Sequence, residues 1–354
     1  MSDPLADPRA LIMALPNPVI LVGEMDRITG ANEHAKRLLG TDCEGWHYIT
    51  ALRQPVLLDA IEATRKDGGR RTAHYLGNDG ARDTTWDVTV NGVMLSDGLC
   101  VVLSFQDMTA VQEAGQMRRD FVANVSHEMR TPLTSVMGFI ETLLGPARND
   151  AAAQVRFLRI MEQEAGRMHR LVEDLLQLSR VEDQERIRPT EHVPLQELII
   201  EVLNTLAPAA EAKSIQFVTD LPDASVIILG DRGQLWQVIS NLAENAVKYG
   251  AASGTVTVRL TKPTHEVSLR QTGVRLSVID QGDGIPAHHI ARLTERFYRV
   301  DTHRSREVGG TGLGLAIVKH IINRHRGRLR VDSILKQGSD FTVILPVNQI
   351  ADVR

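Results

Sequence analysis

Two series of apolar residues, spaced alternately three and four positions apart, place the strongest constraint on how this chain can fold. The first series is Val122, Val125, Met129, Leu133, Val136, Ile140 and Leu143, and the second is Leu158, Met161, Ala165, Met168, Val172 and Leu175. This spacing puts one apolar stripe on each of two helices, joined through the turn-forming pairs Gly145-Pro146 and Asn149-Asp150. Because a two-helix hairpin with single stripes cannot enclose a core, we predict that two copies pair into a four-helix bundle.

Length and composition limit the number and class of the domains that surround this hairpin. A chain of 354 residues predicts two or three domains, and 43% hydrophobic residues allow each of them a core. A formal charge of −4 and only 4% aromatic residues argue against nucleic acid as a partner. The two cysteines, Cys43 and Cys100, match no metal-ligand spacing and indicate a reducing compartment.

No apolar segment approaches the roughly 20 residues that a membrane-spanning helix needs. The best stretch, residues 11–23, is interrupted by two prolines, and the next, residues 92–105, contains Asp97. The N-terminus also lacks the basic and apolar regions of a signal peptide. We therefore expect no transmembrane segment and a cytoplasmic location.

The segments on either side of the hairpin have mixed α/β patterns. In the N-terminal segment, Asn32 predicts the cap of a helix that ends at Gly40. Strands are predicted there at residues 18–22, 28–31, 85–90 and 99–105. In the C-terminal segment we predict helices at 194–207, 231–249 and 314–325, and strands near 255–260, 274–280 and 341–345. Residues 300–309 are polar and without period, which predicts a mobile loop, and residues 261–273 form a connection with no evident purpose.

His127 is the first candidate for chemistry. It lies two residues past Val125, about 200° away around a helix, and is therefore predicted to be exposed beside Glu128. Thr131 follows one turn later on the same face, and Pro132 removes the amide that would bond the carbonyl of Glu128. An imidazole accepts a phosphoryl group well when a carboxylate holds the proton on its other nitrogen. An ordinary solvated histidine is the alternative.

Three further clusters suit a nucleotide. Asn241, Asn245 and Lys248 share one helix face, where an amide oxygen suits Mg²⁺ and a lysine suits phosphate, although a plain polar face has the same pattern. Asp280 follows a predicted strand and precedes spaced glycines, an arrangement that can accept a hydrogen bond from adenine or be a simple turn. Glycines at 309–314 precede a helix N-terminus, which favours phosphate, without the Gly-Lys-Ser/Thr of a P-loop.

Together these segments resemble the sequence boxes of the sensor histidine kinases, in the order of that family. Residues 126–133 resemble the H-box, 241–249 the N-box, 280–285 the G1 box, 295–299 the F-box and 309–315 the G2 box. Within the family the pattern is most similar to the phosphate-regulon type of sensor. That type usually carries membrane spans ahead of its sensor domain, and none is predicted here.

The resemblance implies a role for each matching residue. His127 would be the phospho-acceptor and Glu128 its acid/base partner, while Thr131 would position water in a phosphatase reaction. Asn245 would bind Mg²⁺ and Asp280 would read adenine. The residues implied to bind ATP are Asn241, Asn245, Lys248, Tyr249, Asp280, Gly282, Gly284, Phe297, Gly310, Thr311, Gly312, Leu313 and Gly314.

The expected fold class is α+β and multidomain. Its parts are a PAS-like sensor domain at 10–109, a signalling helix at 110–120, a dimerisation and histidine phosphotransfer domain at 117–185, and an ATP-binding α/β sandwich of the GHKL (Bergerat) type at 190–348. Asn32 with the helix ending at Gly40, and residues 107–109 after the last strand, carry the resemblance to a PAS domain.

The expected function is that of a homodimeric two-component sensor kinase. It would phosphorylate His127 with Mg·ATP and pass the phosphoryl group to an aspartate in the receiver domain of a response regulator. Phosphatase activity on that regulator, a role in phosphate starvation and a membrane-associated signalling partner are further expectations. The alternatives are a GHKL-type ATPase whose hairpin is a dimer clamp, and an inactive signalling scaffold.

Overall fold

A computed structural model describes residues 8–78, 80, 82–95, 98–185, 187–300 and 310–347. The chain divides into two compact units, Met1–Ala123 and Asn124–Arg354. Among the described residues both α-helices and β-strands are present in each unit, so the predicted α+β class is confirmed.

The first unit contains an antiparallel five-stranded sheet with the strand order β2-β1-β5-β4-β3. Its strands are β1 (Val19–Val22), β2 (Ile28–Ala31), β3 (Arg71–Asn78), β4 (Asp83–Leu95) and β5 (Gly98–Asp107). Its short helices are α1 (Pro8–Met13), α2 (Glu33–Leu39), α3 (Tyr48–Leu52) and α4 (Pro55–Asp67). Helices α2 to α4 cover one face of the sheet, and the core between them is filled by large side chains such as Phe105, Leu57 and Ile61. This β-rich domain is consistent with the predicted PAS-like fold.

Asn32 anchors the beginning of this domain. Its side chain, 1% exposed, caps α2 by accepting a hydrogen bond from the amide of Ala35, as predicted. The same oxygen accepts from the amide of Val19, and the side-chain amide donates to the carbonyl oxygens of Asn17 and Ile12. Asn32 therefore ties the segment that contains α1 to the first strand, a role that the capping pattern alone did not reveal.

Two long helices form the predicted hairpin. Helix α5 runs from Thr109 to Leu144 without interruption at Pro132, and α6 runs from Ala151 to Gln184 after an Asp150 cap. Residues 110–120, for which a signalling helix is predicted, are helical and belong to the first part of α5. Many apolar side chains of the hairpin are exposed in the single chain, namely Val122, Leu133, Met137, Ile140, Leu144, Val155, Leu158, Val172 and Leu176.

The rest of the second unit is an α/β sandwich. Strands β7 (Gln216–Asp220), β9 (Thr255–Leu260), β10 (Thr264–Glu266), β11 (Gln271–Asp280), β12 (Arg328–Ile334) and β13 (Gly338–Pro346) form one sheet, in which β7 pairs in parallel with β9 and the other pairs are antiparallel. Strands β6 (Glu191–Pro194) and β8 (Ile227–Gly230) pair separately. The helices are α7 (Leu195–Glu211), α8 (Arg232–Tyr249), α9 (Ala287–Ile290) and α10 (Gly314–Arg324).

The predicted helices and strands of this part are confirmed, with small shifts of their ends. Helix α7 continues to Glu211, past the predicted end at 207, because Pro208 lies inside the helix instead of stopping it. Of the loop predicted to be mobile, residues 301–309 lie outside the described residues.

The long connection at 261–273 has a structural explanation. It forms a hairpin in which β10 pairs with the first residues of β11. Glu266, 3% exposed, accepts two hydrogen bonds from the guanidinium of Arg275 at 2.7 and 2.9 Å. The hydrogen bonds from Arg275 are the main reason why the pKa of Glu266 is lowered. The connection therefore extends the sheet at the end of β11 opposite to Asp280.

Candidate functional site

Helix α8 supplies one wall of a large cavity in the second unit. Asp231 begins the helix by accepting a hydrogen bond from the amide of Gln234 at 3.1 Å. The core-facing side of α8 is buried and consists of Leu235, Val238, Ile239, Leu242, Ala243, Ala246 and Val247. Asn241, Asn245 and Lys248 line the cavity together, as their spacing predicts. Lys248 forms an ion pair with Glu244 at 3.1 Å.

The cavity has a volume of about 680 Å³, which lies within the range of small-molecule sites. Among the residues expected to bind ATP, those in its lining are Asn241, Asn245, Lys248, Tyr249, Asp280, Gly284, Gly310, Thr311, Gly312 and Gly314. The remaining three, Gly282, Phe297 and Leu313, support the lining instead. The amide of Gly282 donates to Asp280, the amide of Phe297 donates to the carbonyl of Gly312, and Leu313 is fully buried.

Asp280 lies at the floor of the cavity, at the end of β11. Its side chain is 5% exposed, and Oδ1 accepts a hydrogen bond from the amide of Gly282 at 2.8 Å. Burial raises the pKa of Asp280, while hydrogen bonds from the amides of Gly282 and Ser339 act in the opposite direction. A buried carboxylate of this kind suits a neutral donor such as an exocyclic amino group.

The hairpin between β12 and β13 holds the loop that follows Asp280. The hydroxyl of Ser333 accepts a hydrogen bond from the amide of Ile285 at 2.8 Å and lies 2.9 Å from the carbonyl oxygen of Gly338. Gly284, at φ 67°, approaches the same hairpin so closely that a Cβ atom would collide with the carbonyl oxygen of Ile334. Ser333 was not predicted, because a serine in a strand carries no local signal for this role.

The glycine loop before α10 also lines the cavity. Gly312 adopts φ 75°, and a Cβ atom there would lie 2.9 Å from the Cα of Phe297. Glycine at this position therefore lets the loop pack against the segment 295–299. The hydroxyl of Thr311 accepts from the amide of Leu313, the first residue before α10.

Two buried donors in the cavity lining lack a partner among the described residues. They are Nδ2 of Asn241 and Nε of Arg299, and the side chain of Arg299 is only 7% exposed. Unpaired buried donors are costly unless a ligand satisfies them, and an anionic group with several acceptor oxygens would. Of the segment 295–299, only Phe297 was predicted to bind ATP, and Arg299 was not.

The side chains that line the cavity also indicate which metal ion could bind there. Among the described residues no three His, Cys, Asp or Glu side chains cluster as a metal site. Asn245 in the cavity offers one amide oxygen, which fits Mg²⁺ because this ion keeps several waters and binds through substrate phosphates. The residues present therefore fit Mg²⁺ bound together with a nucleotide.

Helix α6 of the hairpin closes one side of the cavity. Arg170, Glu173, Asp174 and Gln177 belong to its lining. The hydroxyl of Thr311 donates to Oδ2 of Asp174 at 2.6 Å. Asp174 was not predicted, because in the sequence it belongs to the hairpin and is separated from Thr311 by more than a hundred residues.

The segment around His127 lies on the same unit. His127 is exposed, as predicted, and is not among the residues that line the cavity. Oε2 of Glu128 accepts hydrogen bonds from Arg167 on α6 and from Arg299, both at 3.0 Å. The hydroxyl of Thr131 donates to the carbonyl oxygen of His127 at 3.3 Å. The structure therefore brings Glu128, and not His127, into contact with the cavity wall.

A helical hairpin with an exposed histidine, joined to an α/β sandwich with a nucleotide-sized cavity, defines the class of histidine protein kinases. Residues 117–184 match the family described as "His Kinase A (phospho-acceptor) domain". Residues 230–349 match "Histidine kinase-, DNA gyrase B-, and HSP90-like ATPase". The chain belongs to the sensor histidine kinases of two-component systems.

Curated relatives give the same assignment. The phosphate regulon sensor protein PhoR of Pseudomonas aeruginosa is 40% identical over 249 residues, which are 70% of this chain and 54% of PhoR. The sensor histidine kinase WalK of Bacillus subtilis is 36% identical over 253 residues, covering 72% of this chain and 40% of WalK. WalK of Staphylococcus saprophyticus is 33% identical over 350 residues, which are 97% of this chain and 55% of that protein. The chain spans about half the length of these relatives.

A solved structure shares the fold over most of the chain. The crystal structure of the histidine kinase ThkA in complex with the response regulator protein TrrA aligns with a TM-score of 0.52 and 22% identity, covering 96% of this chain and 98% of that chain. No helix among the described residues is long and apolar enough to cross a bilayer.

Proposed function

We propose that this chain is an ATP-dependent histidine kinase that phosphorylates His127 and then donates the phosphoryl group to an aspartate of a response regulator. The observation that carries the proposal is that one compact unit contains both the exposed His127 on α5 and the cavity lined by Asn245, Asp280 and the glycine loop. Each of these residues belongs to a segment of the two matched families.

The cavity would bind Mg·ATP through its own polar groups. Asp280 would accept a hydrogen bond from the adenine amino group, and Asn245 would hold Mg²⁺. Lys248, Arg299 and the amides of the glycine loop would bind the phosphates. Bound Mg·ATP supplies the γ-phosphoryl group, and most of the rate would come from positioning and charge neutralisation. The chain would then consist of a PAS-like sensor at 10–109, a signalling helix at 110–120, a phosphotransfer domain at 117–185 and a catalytic domain at 190–348.

His127 would act as the nucleophile. One imidazole nitrogen forms the new N–P bond while the bond between the γ-phosphorus and the bridging oxygen breaks and leaves ADP. Glu128 would hold the proton on the other imidazole nitrogen, so that the attacking nitrogen keeps its lone pair. Because Arg167 and Arg299 hold Glu128 in the present arrangement, the carboxylate must be released before it can serve His127.

The active protein would be a homodimer. The exposed apolar side chains of α5 and α6 leave the hairpin without a complete core, and a second copy would bury them in a four-helix bundle. A receiver domain is the partner expected after phosphorylation, since the similar kinase ThkA forms a complex with the response regulator TrrA. Phosphatase activity assisted by Thr131, and a role in phosphate starvation like that named for PhoR, complete the proposal.

A GHKL-type ATPase with a helical dimer clamp is the second candidate, because the family matched by residues 230–349 also includes gyrase B-like and HSP90-like ATPases. The two functions differ in whether the phosphoryl group ends on the protein or in solution.

The test is incubation with Mg·ATP labelled at the γ-phosphate, followed by measurement of both protein-bound and released label. We expect acid-labile, alkali-stable label on the wild type, none on His127→Gln or Asn245→Ala, and full label on His169→Gln. His169 is a matched control because it is an exposed histidine on the other helix of the hairpin. Released phosphate without bound label would support the ATPase, and neither signal would contradict both enzymatic functions.

A further inference from the structure

Asp174 lies at the phosphate end of the proposed nucleotide site, although it belongs to the hairpin. Its carboxylate accepts the hydroxyl hydrogen bond of Thr311 at 2.6 Å, in the middle of the glycine loop. Asp174 and Lys248 line the same cavity and interact electrostatically. The glycine loop and Lys248 are the groups proposed above to bind phosphate. The carboxylate of Asp174 therefore interacts with the groups that a phosphate would otherwise contact.

We propose that Asp174 competes with the nucleotide phosphates, so that ATP binding and the docking of α6 against the cavity oppose each other. This inference rests on the proposed function, because it takes the cavity to be the nucleotide site. Asp174 then sets how strongly the docked chain binds ligands of different phosphate number.

The electrostatics of the cavity support this competition. Burial raises the pKa of Asp174, and the neighbouring carboxylates of Glu244 and Glu173 act in the same direction. The hydrogen bond from Thr311 and the charge of Lys248 act in the opposite direction and favour the carboxylate. Phosphates brought to the same groups would repel Asp174 in a partly desolvated space, where charges are poorly screened.

Contacts that do not involve Asp174 also hold α6 in place. The side-chain amide of Gln237 donates to Gln177, and Arg296 forms an ion pair with Glu182. Further along, His320 lies 2.9 Å from Glu185. Because these contacts do not involve the phosphate end, α6 stays docked until a ligand provides enough repulsion at Asp174. The coupling is reciprocal, so the docked helix weakens ATP binding as much as ATP weakens docking.

The test compares the affinities of ATP, ADP and adenosine for the full chain and its Asp174→Asn variant in the presence of Mg²⁺. Asparagine keeps an oxygen that can accept from Thr311, while it removes the charge and replaces the other oxygen by an amide NH2 group. Glu173→Gln is the matched control, since Glu173 also lines the cavity but its side chain is 56% exposed. Calorimetric titration gives the ATP and ADP affinities, and displacement of a fluorescent nucleotide gives that of adenosine.

We expect Asp174→Asn to bind ATP about 5-fold to 150-fold more tightly, the range of typical coupling between sites. The affinity for ADP should increase less than that for ATP, and the affinity for adenosine should not change. An unchanged ATP affinity, an equal gain for adenosine, or the same gain in Glu173→Gln would overturn the inference. If neither wild type nor variant binds ATP, both this inference and the proposed function are wrong, whereas normal ATP binding without the Asp174 effect contradicts the inference alone.

A second measurement follows docking directly. Cysteines introduced by Gln177→Cys and Gln237→Cys should cross-link in the docked state, because these two side chains are in contact. We expect ATP to lower the cross-linking yield and adenosine to leave it unchanged, and the ATP effect should be weaker when Asp174→Asn is added. A yield that ATP does not lower would contradict the proposed competition.

Discussion

Oε2 of Glu128 lies 3.0 Å from a guanidinium nitrogen of Arg299, although 171 positions separate the two residues in the chain. The Arg299 side chain is 7% exposed and the Glu128 side chain is 23% exposed, so the pair is largely shielded from water. The proposed acid/base group of the reaction is thereby bound to the wall of the cavity that would hold the phosphoryl donor. Under the proposed mechanism, this pair would have to separate before Glu128 could assist His127.

Replacing Glu128 by glutamine should slow autophosphorylation without preventing ATP binding. The amide cannot take up the imidazole proton, and general acid–base assistance typically contributes about 10²-fold to 10⁴-fold. We expect a loss of that size in the single-turnover rate at saturating ATP, with an ATP affinity no weaker than that of the wild type, because the change also frees Arg299. Glu141→Gln, an exposed carboxylate on the same helix, is the control and should label at the normal rate. An unimpaired Glu128→Gln would remove this residue from the mechanism.

Asp280→Ala should weaken binding of ATP more than binding of inosine triphosphate. A hydrogen bond to a charged group contributes about 1.5–3 kcal/mol, which corresponds to about 10-fold to 150-fold in affinity. Inosine triphosphate has no amino group at this position of its base. Its affinity should therefore fall only as far as the loop is disturbed by loss of the hydrogen bond between Asp280 and Gly282. Equal losses for the two nucleotides, measured by calorimetry, would show that Asp280 shapes the loop and does not read adenine.

Alanine substitutions at Gly284 and Gly166 should have opposite effects on stability. At Gly284 the positive φ of 67° and the collision with Ile334 should lower the free energy of unfolding by at least about 1 kcal/mol. Gly166 lies within α6, and a Cβ atom there would meet no neighbouring side chain within 4 Å, so alanine should stabilise by about 0.5–1 kcal/mol. Urea midpoints of the two variants give the comparison, and a tolerated Gly284→Ala would contradict the described loop geometry.

The stability of the ATP-binding part should fall below about pH 6.5 because of His325. Its Nε2 accepts from the amide of Asp231 at 3.0 Å and its Nδ1 lies 2.7 Å from the carbonyl oxygen of Ile321, which requires a neutral ring. Burial lowers the pKa of His325 in the folded state. As pH falls below the unfolded value of about 6.5, the unfolded chain takes up the proton first, and stability is lost until the lower folded pKa is reached.

Urea midpoints between pH 7.5 and pH 5 test this dependence. His325→Gln should be less stable at pH 7.5 but should show a shallower slope, whereas the exposed His169→Gln should keep the slope of the wild type. Desolvation also lowers the pKa of His289, so part of the slope should persist in His325→Gln. If His325→Gln keeps the slope of the wild type, the loss of stability at low pH comes from other titrating groups.

Local patterns predicted most of the elements that carry the site. The apolar spacing of the hairpin, the cap at Asn32 and the glycines before α10 are all signals within a few residues. The N, G1 and G2 boxes lie on one face of α8, at the end of β11 and before α10, and the fold brings them to one cavity, whereas no residue of the H-box lines it. The strands that were not predicted are β3, β6, β7, β8, β10 and β12. Of these, β12 (Arg328–Ile334) alternates in exposure as a half-buried strand should.

The residues that could not be predicted act through long-range contacts. Asp174 contacts Thr311, Arg299 contacts Glu128, and Ser333 contacts Ile285, each across at least 48 positions of sequence. No spacing rule within a helix or strand connects such pairs, because the packing of separate elements decides them. The docking of α6 is therefore visible only in the folded chain.

The hairpin formed by β10 and the start of β11 is a suitable place to attach a label to this protein. Val267 at its turn is 82% exposed, and β11 has ten residues, so the turn lies about 30 Å along the strand from Asp280. Exposed turns of this kind tolerate insertions well. A fluorescent or affinity tag inserted there would label the ATP-binding domain while leaving the nucleotide cavity and the docked helix untouched.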